Sequence, residues 1–139
     1  MKQAQFELRV PTRGKGLYDV TRQIASWVEG QKIATGLLTV FISHTSASLI
    51  IQENADPDVQ RDICEFFERL VSEDTPWFRH TTEGADDMPS HIRSVLTSPQ
   101  LSIPVRAGRL ALGTWQAIYV FEHRSERQSR NVIVHLIGE

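Results

Sequence analysis

The 139-residue sequence contains a single cysteine, Cys64. One thiol excludes an internal disulfide framework and any zinc site built from several cysteines. Long apolar runs are missing too, since none approaches the roughly 20 residues that cross a bilayer. The first ten residues, "MKQAQFELRV", lack the apolar segment of a secretory signal. These absences predict a cytoplasmic protein with no membrane partner.

A large excess of positive charge is also absent. The formal net charge is −2 and the pI is about 6.2. A general nucleic-acid binder needs a strong basic excess to displace counterions, so we expect no nucleic-acid partner. Hydrophobic residues make up 40% of the chain and charged residues 23%, as in ordinary globular proteins. With no repeat or linker, we predict one domain over residues 1–139.

Several segments have the pattern of strands. Phe6, Leu8 and Val10 alternate along residues 3–10, which predicts a half-buried strand. "GLLTVFISH" is apolar on both faces and predicts a buried strand that places His44 at its end. The remaining strand-like runs are "SASLIIQEN", "LSIPV", "RLALG", "WQAIYVFEH" and "NVIVHLI".

Helical spacing predicts two or three helices. One covers residues 20–29 with Asp19 as its N-cap, and a short one runs from about Pro89 to Leu96. A third begins near Pro57 with a broad apolar stripe: Val59, Ile63, Phe66, Phe67, Leu70 and Val71. Cys64 lies at the edge of this stripe and is expected to be a buried structural thiol. Because helices interrupt the strands irregularly, we predict an α+β fold with a mostly antiparallel, two-layer sheet.

Three of the five histidines lie at element ends or in loops, where scaffolds present functional groups: His44, His80 and His91. Their convergence would make a catalytic metal site, although their spacing matches no short metal motif. His91 is expected in the first turn of the short helix, where the helix dipole favours the neutral, metal-binding imidazole. His123 and His135 are expected to be packed or hydrogen-bonded.

Other polar residues leave alternatives open. Asp86 and Asp87 precede the short helix and could cap it or take part in catalysis. Glu53 could be a base, a ligand or a surface carboxylate. A Ser-His-Asp triad drawn from Ser46, Asp86 and either His44 or His91 has no GxSxG elbow to support it.

Two further features concern a pocket mouth. Gln116 begins an apolar row as His44 ends one, so both could line one cavity. Arg124, Arg127 and Arg130 predict either a solvated loop or a cationic funnel for an anion beside that cavity.

Four segments in order, "HTSASLIIQENADPDVQRD", "EGADDMPSHI", "IPVRAGRLALGTWQAIYVFEHR" and "LIGE", resemble the YjbQ family. Its members are also named secondary thiamine-phosphate synthase-like proteins. The resemblance covers essentially the whole chain. It implies a fold built around a β-sandwich, assembly as a homotrimer, and a pocket that carries a metal or an anion.

The resemblance also implies site residues and an activity. Metal ligands fall on His44, His80 and His91, and the metal is zinc or another transition metal, with magnesium an alternative for a diphosphate substrate. Asp86, Glu53 and Gln116 are the implied catalytic residues, and Ser46, Thr114 and Arg124 the implied phosphate-binding residues. The implied activity is a weak thiamine-phosphate synthase, which joins a pyrimidine methyl diphosphate to a thiazole phosphate and releases diphosphate. A non-catalytic protein that binds an anionic metabolite and a metal-dependent hydrolase are the alternatives.

Overall fold

A computed structural model describes residues 1–139 and contains eight strands and three helices. The strands are β1 (Lys2–Arg13), β2 (Gly16–Asp19), β3 (Thr35–Ile42), β4 (Ala47–Glu53), β5 (Gln100–Arg106), β6 (Arg109–Leu110), β7 (Gln116–Glu122) and β8 (Arg127–Gly138). The helices are α1 (Thr21–Gly30), α2 (Pro57–Leu70) and α3 (Asp87–Leu96). None of them combines the length and apolar character that a membrane span requires.

The strands form two antiparallel sheets. One has five strands in the order β1-β8-β3-β5-β6, and the other has three in the order β2-β7-β4. Each of the connections β1–β2, β3–β4 and β7–β8 joins a strand of the larger sheet to a strand of the smaller one. The predicted α+β class with a two-layer antiparallel sheet is therefore confirmed.

The main core lies between the two sheets. The alternating side chains of β1 end in buried Val10, and Leu38, Val40 and Ile42 of β3 are fully buried, as their alternation predicts. From the smaller sheet, β7 contributes Ile118 to the same cluster.

Helix α1 closes one side of this core. Ile24 and Val28, four residues apart, are buried, and the ring of Trp27 lies 4.7 Å from that of Phe6. Asp19 accepts a hydrogen bond from the backbone N–H of Thr21 at 2.9 Å. Val20 occupies the N-cap position, and Asp19 lies one residue before it. Asp19 therefore binds an N–H group at the start of the helix, as a capping residue does, but from one position earlier than predicted.

Helices α2 and α3 cover the second face of the smaller sheet, so β7 is buried on both faces. Asp56 caps α2 through the N–H of Asp58, and Pro57 begins the helix as predicted. The apolar stripe is only partly covered, because Phe67 packs against Phe121 while Phe66 and Leu70 are exposed. Two members of the predicted stripe therefore lie outside its covered part.

Helix α3 begins at Asp87, two residues earlier than predicted. His91 consequently lies in the second turn, one turn after Asp87, and the predicted first-turn position is wrong. Buried Arg93 of α3 donates to the carbonyl of Val71 at 2.8 Å, just past the end of α2. This hydrogen bond ties the two helices together.

The outer face of the larger sheet carries exposed apolar side chains. Leu37 lies opposite Ile137, and Phe41 lies opposite Ile133, on neighbouring strands β3 and β8. The prediction that β3 is buried on both faces is therefore wrong for the single chain. We call these four side chains the outer-face patch.

Candidate metal centre

Two histidines and an aspartate meet at one end of the sandwich: His80, Asp87 and His91. We call them the His–Asp cluster. The connections β3–β4 and β7–β8 lie at the same end, because Ala47 and Glu122 pair where these connections join the smaller sheet. The cluster thus lies on α3 and the loop before it, against two rigid turns between sheets.

Asp87 is the centre of the cluster. Its Oδ2 lies 2.6 Å from Nε2 of His80 and 3.1 Å from Nε2 of His91. The ligand atoms of all three residues lie within 4.8 Å of one another. Helical geometry explains half of this arrangement, because Asp87 and His91 are four residues apart on one face of α3.

The hydrogen bond of Nδ1 of His91 determines whether its Nε2 carries a proton. Nδ1 lies 3.0 Å from the backbone carbonyl of Thr45, which can only accept a hydrogen bond, so Nδ1 carries the proton. In the neutral ring, Nε2 then directs a lone pair at the carboxylate oxygen of Asp87. Two acceptors at this distance require a cation between them, either a second proton or a metal ion.

The charges of the cluster shift its pKa values. Burial alone would raise the pKa of Asp87, but the hydrogen bond with His80 and the charge of Arg124 outweigh it and lower that pKa. The pKa of His80 is raised, chiefly by the hydrogen bond with Asp87. Asp87 therefore remains an anion, and a proton competes with any metal for His80.

Arg124 holds the other side of the carboxylate. Its Nη1 donates to Oδ1 of Asp87 at 2.6 Å, and its Nε donates to Oδ2 of Asp86 at 3.0 Å. Its Nη2 donates to the carbonyl of Glu83, so each of its three nitrogens donates one hydrogen bond. Three of its five N–H groups are used in these hydrogen bonds, and the role implied for Arg124 in phosphate binding stays a prediction. Arg124 is the residue that positions Asp87.

Asp86 does not cap α3 with its side chain. It occupies the N-cap position without a capping hydrogen bond, and its carboxylate accepts from Arg124 and from the N–H of Ser125 at 2.8 Å. Capping is therefore the wrong explanation for this carboxylate. Asp86 stands behind the cluster, and its catalytic role stays a prediction.

Glu83 is a member of the site that the sequence analysis does not single out. Its Oε2 lies 2.9 Å from Nε2 of His80, close to the position of the Asp87 carboxylate. Its one sequence signal is its position three residues after His80, in a turn-rich loop. The side chain is 63% exposed, which leaves it free to move toward or away from the cluster.

His44 lies beside the cluster without joining it. Its Nε2 accepts a hydrogen bond from the N–H of Asn131 at 2.9 Å, and its Nδ1 lies 3.3 Å from Nη1 of Arg130. Because a neutral imidazole has one acceptor nitrogen, Nδ1 carries the proton and lies beside the donor Nη1 of Arg130 without accepting from it. Burial, followed by the charge of Arg130, lowers the pKa of His44 and keeps it neutral. A single chain does not assemble the predicted set of three histidine ligands.

An open cavity of about 440 Å³ separates His44 from His91. Its walls also include Thr45, Ser94 and Thr97. Hydroxyl groups and imidazoles line one side, and an ordinary small metabolite fits this volume. The cavity therefore gives a ligand direct access to His91.

Arg130 belongs to neither of the predicted arrangements for the arginine run. It is buried and forms an ion pair with fully buried Glu122, which also accepts a hydrogen bond from Thr12. Nη2 of Arg130 donates to Oγ of Ser46 at 3.0 Å. Ser46 is thus bound from within the protein, and its implied phosphate-binding role stays a prediction.

The residues Glu53, Thr114 and Gln116 lie at the opposite end of the smaller sheet. Glu53 pairs with Gln116, six strand positions from the Ala47–Glu122 pair, which corresponds to about 20 Å at ~3.3 Å per residue. The side chain of Gln116 accepts from the N–H of Gly113 at 2.7 Å and closes a local turn. The prediction that Gln116 and His44 line one cavity is wrong. The catalytic roles implied for Glu53 and Gln116 and the phosphate-binding role implied for Thr114 have no place in this cluster.

His123 is a buried histidine outside the cluster, as expected. Its Nε2 lies 2.9 Å from Oγ of Ser48, and burial lowers its pKa to about 3. His135 forms a hydrogen bond with Gln3 on the outer face. Cys64 is half-buried, and burial raises the pKa of its thiol, so it stays protonated and unreactive.

The donor set of the cluster fits a transition metal. Two imidazole nitrogens and one carboxylate oxygen are typical ligands of zinc and iron, whereas magnesium prefers oxygen ligands alone. The hydrogen bonds from His91 to the Thr45 carbonyl and from Arg124 to Asp87 orient the ligands in the way that metal sites require. The arrangement can bind one cation, and His91 is the member of the set that also lines the cavity.

Comparison with known proteins places this chain in a family. The sequence profile described as UPF0047 protein YjbQ-like matches residues 5–139. A UPF0047 protein from Synechocystis is 53% identical over 138 residues, which cover 99% of this chain and 94% of that protein. The UPF0047 protein YjbQ from Escherichia coli O157:H7 is 42% identical over 136 residues, which cover 97% of this chain and 98% of that protein.

Solved structures show the same fold. A conserved hypothetical protein from Thermus thermophilus aligns with a TM-score of 0.84 and 34% identity, covering 95% of this chain and 99% of that chain. A YbjQ-like protein from Sulfolobus solfataricus aligns with a TM-score of 0.87 over 99% of this chain and 100% of that chain. At 23% identity, the second likeness concerns the fold alone.

Proposed function

The chain belongs to the YjbQ-like UPF0047 family, as its motifs predict, and from that premise we propose that it is a metal-dependent enzyme acting on a small phosphorylated metabolite. His80, Asp87 and His91 are the proposed ligands. The proposed metal is zinc or another transition metal, because of the mixed nitrogen and oxygen donors.

One observation carries the proposal. Nδ1 of His91 is committed to the Thr45 carbonyl, so its Nε2 lone pair faces Oδ2 of Asp87 at 3.1 Å. A cation between them removes the repulsion, and a metal there would also be in reach of His80. The buried carboxylate, held by Arg124, supplies the negative charge that a dication needs.

The nominal reaction is a weak thiamine-phosphate synthase activity, in which a pyrimidine methyl diphosphate and a thiazole phosphate are joined and diphosphate leaves. A bound divalent metal supplies charge stabilisation for the leaving diphosphate. The residues of the cavity between His44 and His91 bind and orient the substrate, with the hydroxyl of Thr45 as a hydrogen-bonding group. Magnesium carried by the diphosphate substrate is the alternative cation for this reaction.

The first test is metal content. Protein purified without a polyhistidine tag is measured by inductively coupled plasma mass spectrometry, for the wild type and for His91→Ala. We expect about one transition-metal ion per chain in the wild type, and less than a tenth of that in the variant. His135→Ala, which removes an outer-face histidine, is the matched control and keeps its metal. A metal-free wild type after growth with added zinc would refute the proposed site.

The second test is turnover. Wild-type protein is incubated with the pyrimidine diphosphate and the thiazole phosphate, and thiamine phosphate is quantified by chromatography. Product formed by the wild type and lost in His91→Ala supports the enzyme. Thermal stabilisation by either phosphate without turnover supports a protein that binds an anionic metabolite without catalysis.

A metal-dependent hydrolase is the second candidate, and Glu83 favours it. Its exposed carboxylate lies 2.9 Å from Nε2 of His80, where a base that activates water belongs. This candidate predicts hydrolysis of a generic phosphate or carboxylic ester that is lost in Glu83→Gln while the metal is retained. Loss of the metal together with activity would instead make Glu83 a ligand.

We also propose that the chain assembles as a homotrimer through the outer face of the larger sheet. The outer-face patch is apolar at its centre and is flanked by polar residues such as Glu7 and Gln100, the pattern of a subunit interface. Adjacent exposed apolar side chains on one flat sheet are otherwise costly in a monomer.

A further inference from the structure

Two arginines face each other across the strand pair β1–β8. Arg13 and Arg127 are directly opposite in the antiparallel register, and both are exposed. Neither guanidinium takes part in any of the ion pairs of this protein. Like charges directly opposite on a sheet destabilise it, so this pair lowers the stability of the free protein.

The backbone around the pair is rigid. The hydroxyl of Tyr18 accepts from the N–H of Arg13 at 2.8 Å and donates to the carbonyl of Gly14 at 2.8 Å. Gly14 has a φ of +117°, and a Cβ there would lie 3.0 Å from the carbonyl oxygen of Ser125. Glycine therefore lets the β1–β2 corner pack directly on the β7–β8 turn, and the two arginines are held on fixed supports.

A cavity of about 660 Å³ lies between these supports. Its lining residues are Pro11, Thr12, Arg13, Tyr18, Arg127 and Gln128. The volume is within the range of small-molecule sites, roughly 300–1,000 Å³. Two exposed arginines are the charged groups of this lining, and their positive charge selects an anion.

We propose that Arg13 and Arg127 bind the phosphate or diphosphate group of a small organic molecule in this cavity. Guanidinium groups bind phosphate oxygens through paired hydrogen bonds, and a dianion between them converts repulsion into attraction. Arg124, only three residues from Arg127, is less suited to this role because three of its five N–H groups are bound to Asp86, Asp87 and Glu83. The site is separate from the His–Asp cluster, and the inference does not depend on a metal being bound there.

The test uses inorganic diphosphate as the probe and isothermal titration calorimetry as the measurement. The protein is first dialysed against a chelator, so that the probe cannot bind through a metal ion. Arg13→Gln and Arg127→Gln are each expected to weaken diphosphate binding by about tenfold, since each removes charge-assisted hydrogen bonds. The double variant is expected to show no binding. Arg22→Gln, which removes an exposed arginine of α1, is the matched control and leaves the affinity unchanged.

Thermal unfolding gives a second measurement, which distinguishes diphosphate binding by the two arginines from a role in stability alone. Without diphosphate, the double variant is expected to unfold at the same temperature as the wild type or above it, because like-charge repulsion is removed. With diphosphate, the wild type is stabilised and the double variant is not.

Three outcomes would overturn the inference. Unchanged affinity in the double variant would show that the probe binds elsewhere. Binding lost in His91→Ala but kept in the double variant would assign the probe to the His–Asp cluster. If the wild type does not bind diphosphate and the double variant forms a smaller assembly, the two arginines contact another subunit instead.

Discussion

Arg124 donates a hydrogen bond from Nη1 to Oδ1 of Asp87 at 2.6 Å, across 37 positions of the sequence. The other oxygen of Asp87 contacts both His80 and His91. One carboxylate therefore connects the β7–β8 turn to both imidazoles. Groups that hydrogen-bond to metal ligands fix ligand orientation, and removing one typically weakens metal binding about 10–100-fold.

Arg124→Gln is accordingly expected to weaken zinc binding by about 10–100-fold while the fold is retained. The measurement is a competition titration against a chromogenic chelator. Arg106→Gln, which removes an exposed arginine of β5, serves as the control and should bind zinc as the wild type does. Equal zinc affinity in both variants would show that Asp87 needs no support from Arg124.

The two histidines beside the cavity are predicted to respond differently to removal. His91→Ala should lose bound metal and keep most of its stability, since Asp87 keeps its hydrogen bonds to His80 and Arg124 without the ring. His44→Ala should keep the metal and lose about 1–3 kcal/mol of stability, because the N–H of Asn131 loses its acceptor. Metal analysis and urea unfolding of both variants measure the two effects. Metal loss in His44→Ala would contradict this prediction. It would support a site with three histidine ligands, in which His44 comes from a rearranged chain or from a neighbouring chain.

Local patterns account for what the sequence could predict. The alternation of Phe6, Leu8 and Val10 marks β1, and the spacing of Ile24 and Val28 marks the buried face of α1. Such features depend on residues a few positions apart, whose geometry the backbone fixes.

The remaining features depend on how the sheets are connected. Arg124 reaches Asp87 only because the β7–β8 turn lies beside the start of α3, which no spacing reveals. Antiparallel pairing likewise puts Glu53 and Gln116 at the far end of the smaller sheet, away from His91. Exposure of Phe41 has a different origin, since an apolar strand face looks the same in sequence whether its own chain or a second copy covers it.

That ambiguity leads to a prediction about assembly. Phe41→Glu places a charge in the centre of the outer-face patch and is expected to convert the proposed trimer into monomers, measured by light scattering after size exclusion. Burying an unpaired carboxylate in a subunit interface costs several kcal/mol of association free energy. This cost is expected to exceed what the Phe41 side chain contributes to association. Leu70→Glu, at an exposed apolar position of α2, is the control and should leave the mass unchanged. A monomeric wild type would contradict the proposal directly.

His123 predicts a pH dependence of folding stability. Its pKa is about 3 in the folded protein because of burial, whereas an unfolded chain titrates near 6.5. The unfolded state therefore binds more protons between these values, and stability falls as the pH drops below about 6.5, by up to about 1.4 kcal/mol per pH unit. Above pH 6.5 the ring is neutral in both states and contributes no slope.

His123→Gln removes this titration and keeps a hydrogen-bonding side chain near Ser48. Urea unfolding at pH 7 and pH 5, with a chelator present, gives the free energies of both proteins. Between these values the wild type is expected to lose about 2 kcal/mol more than the variant. Parallel losses in the two proteins would mean that water reaches the ring and that its pKa is not depressed.

The ion pair between Glu122 and Arg130 makes the largest stability prediction. Both side chains are buried between the sheets, and Arg130 also donates to Ser46 and contacts His44. Glu122→Gln leaves the guanidinium buried without its counterion, which is expected to cost about 3–5 kcal/mol and is measurable by urea unfolding. The double variant Glu122→Leu with Arg130→Met removes both charges and should be more stable than Glu122→Gln, because no uncompensated charge remains. If the double variant were the less stable of the two, the hydrogen bonds of Arg130 to the β3–β4 connection, rather than the charge pairing, would be the main contribution of this network.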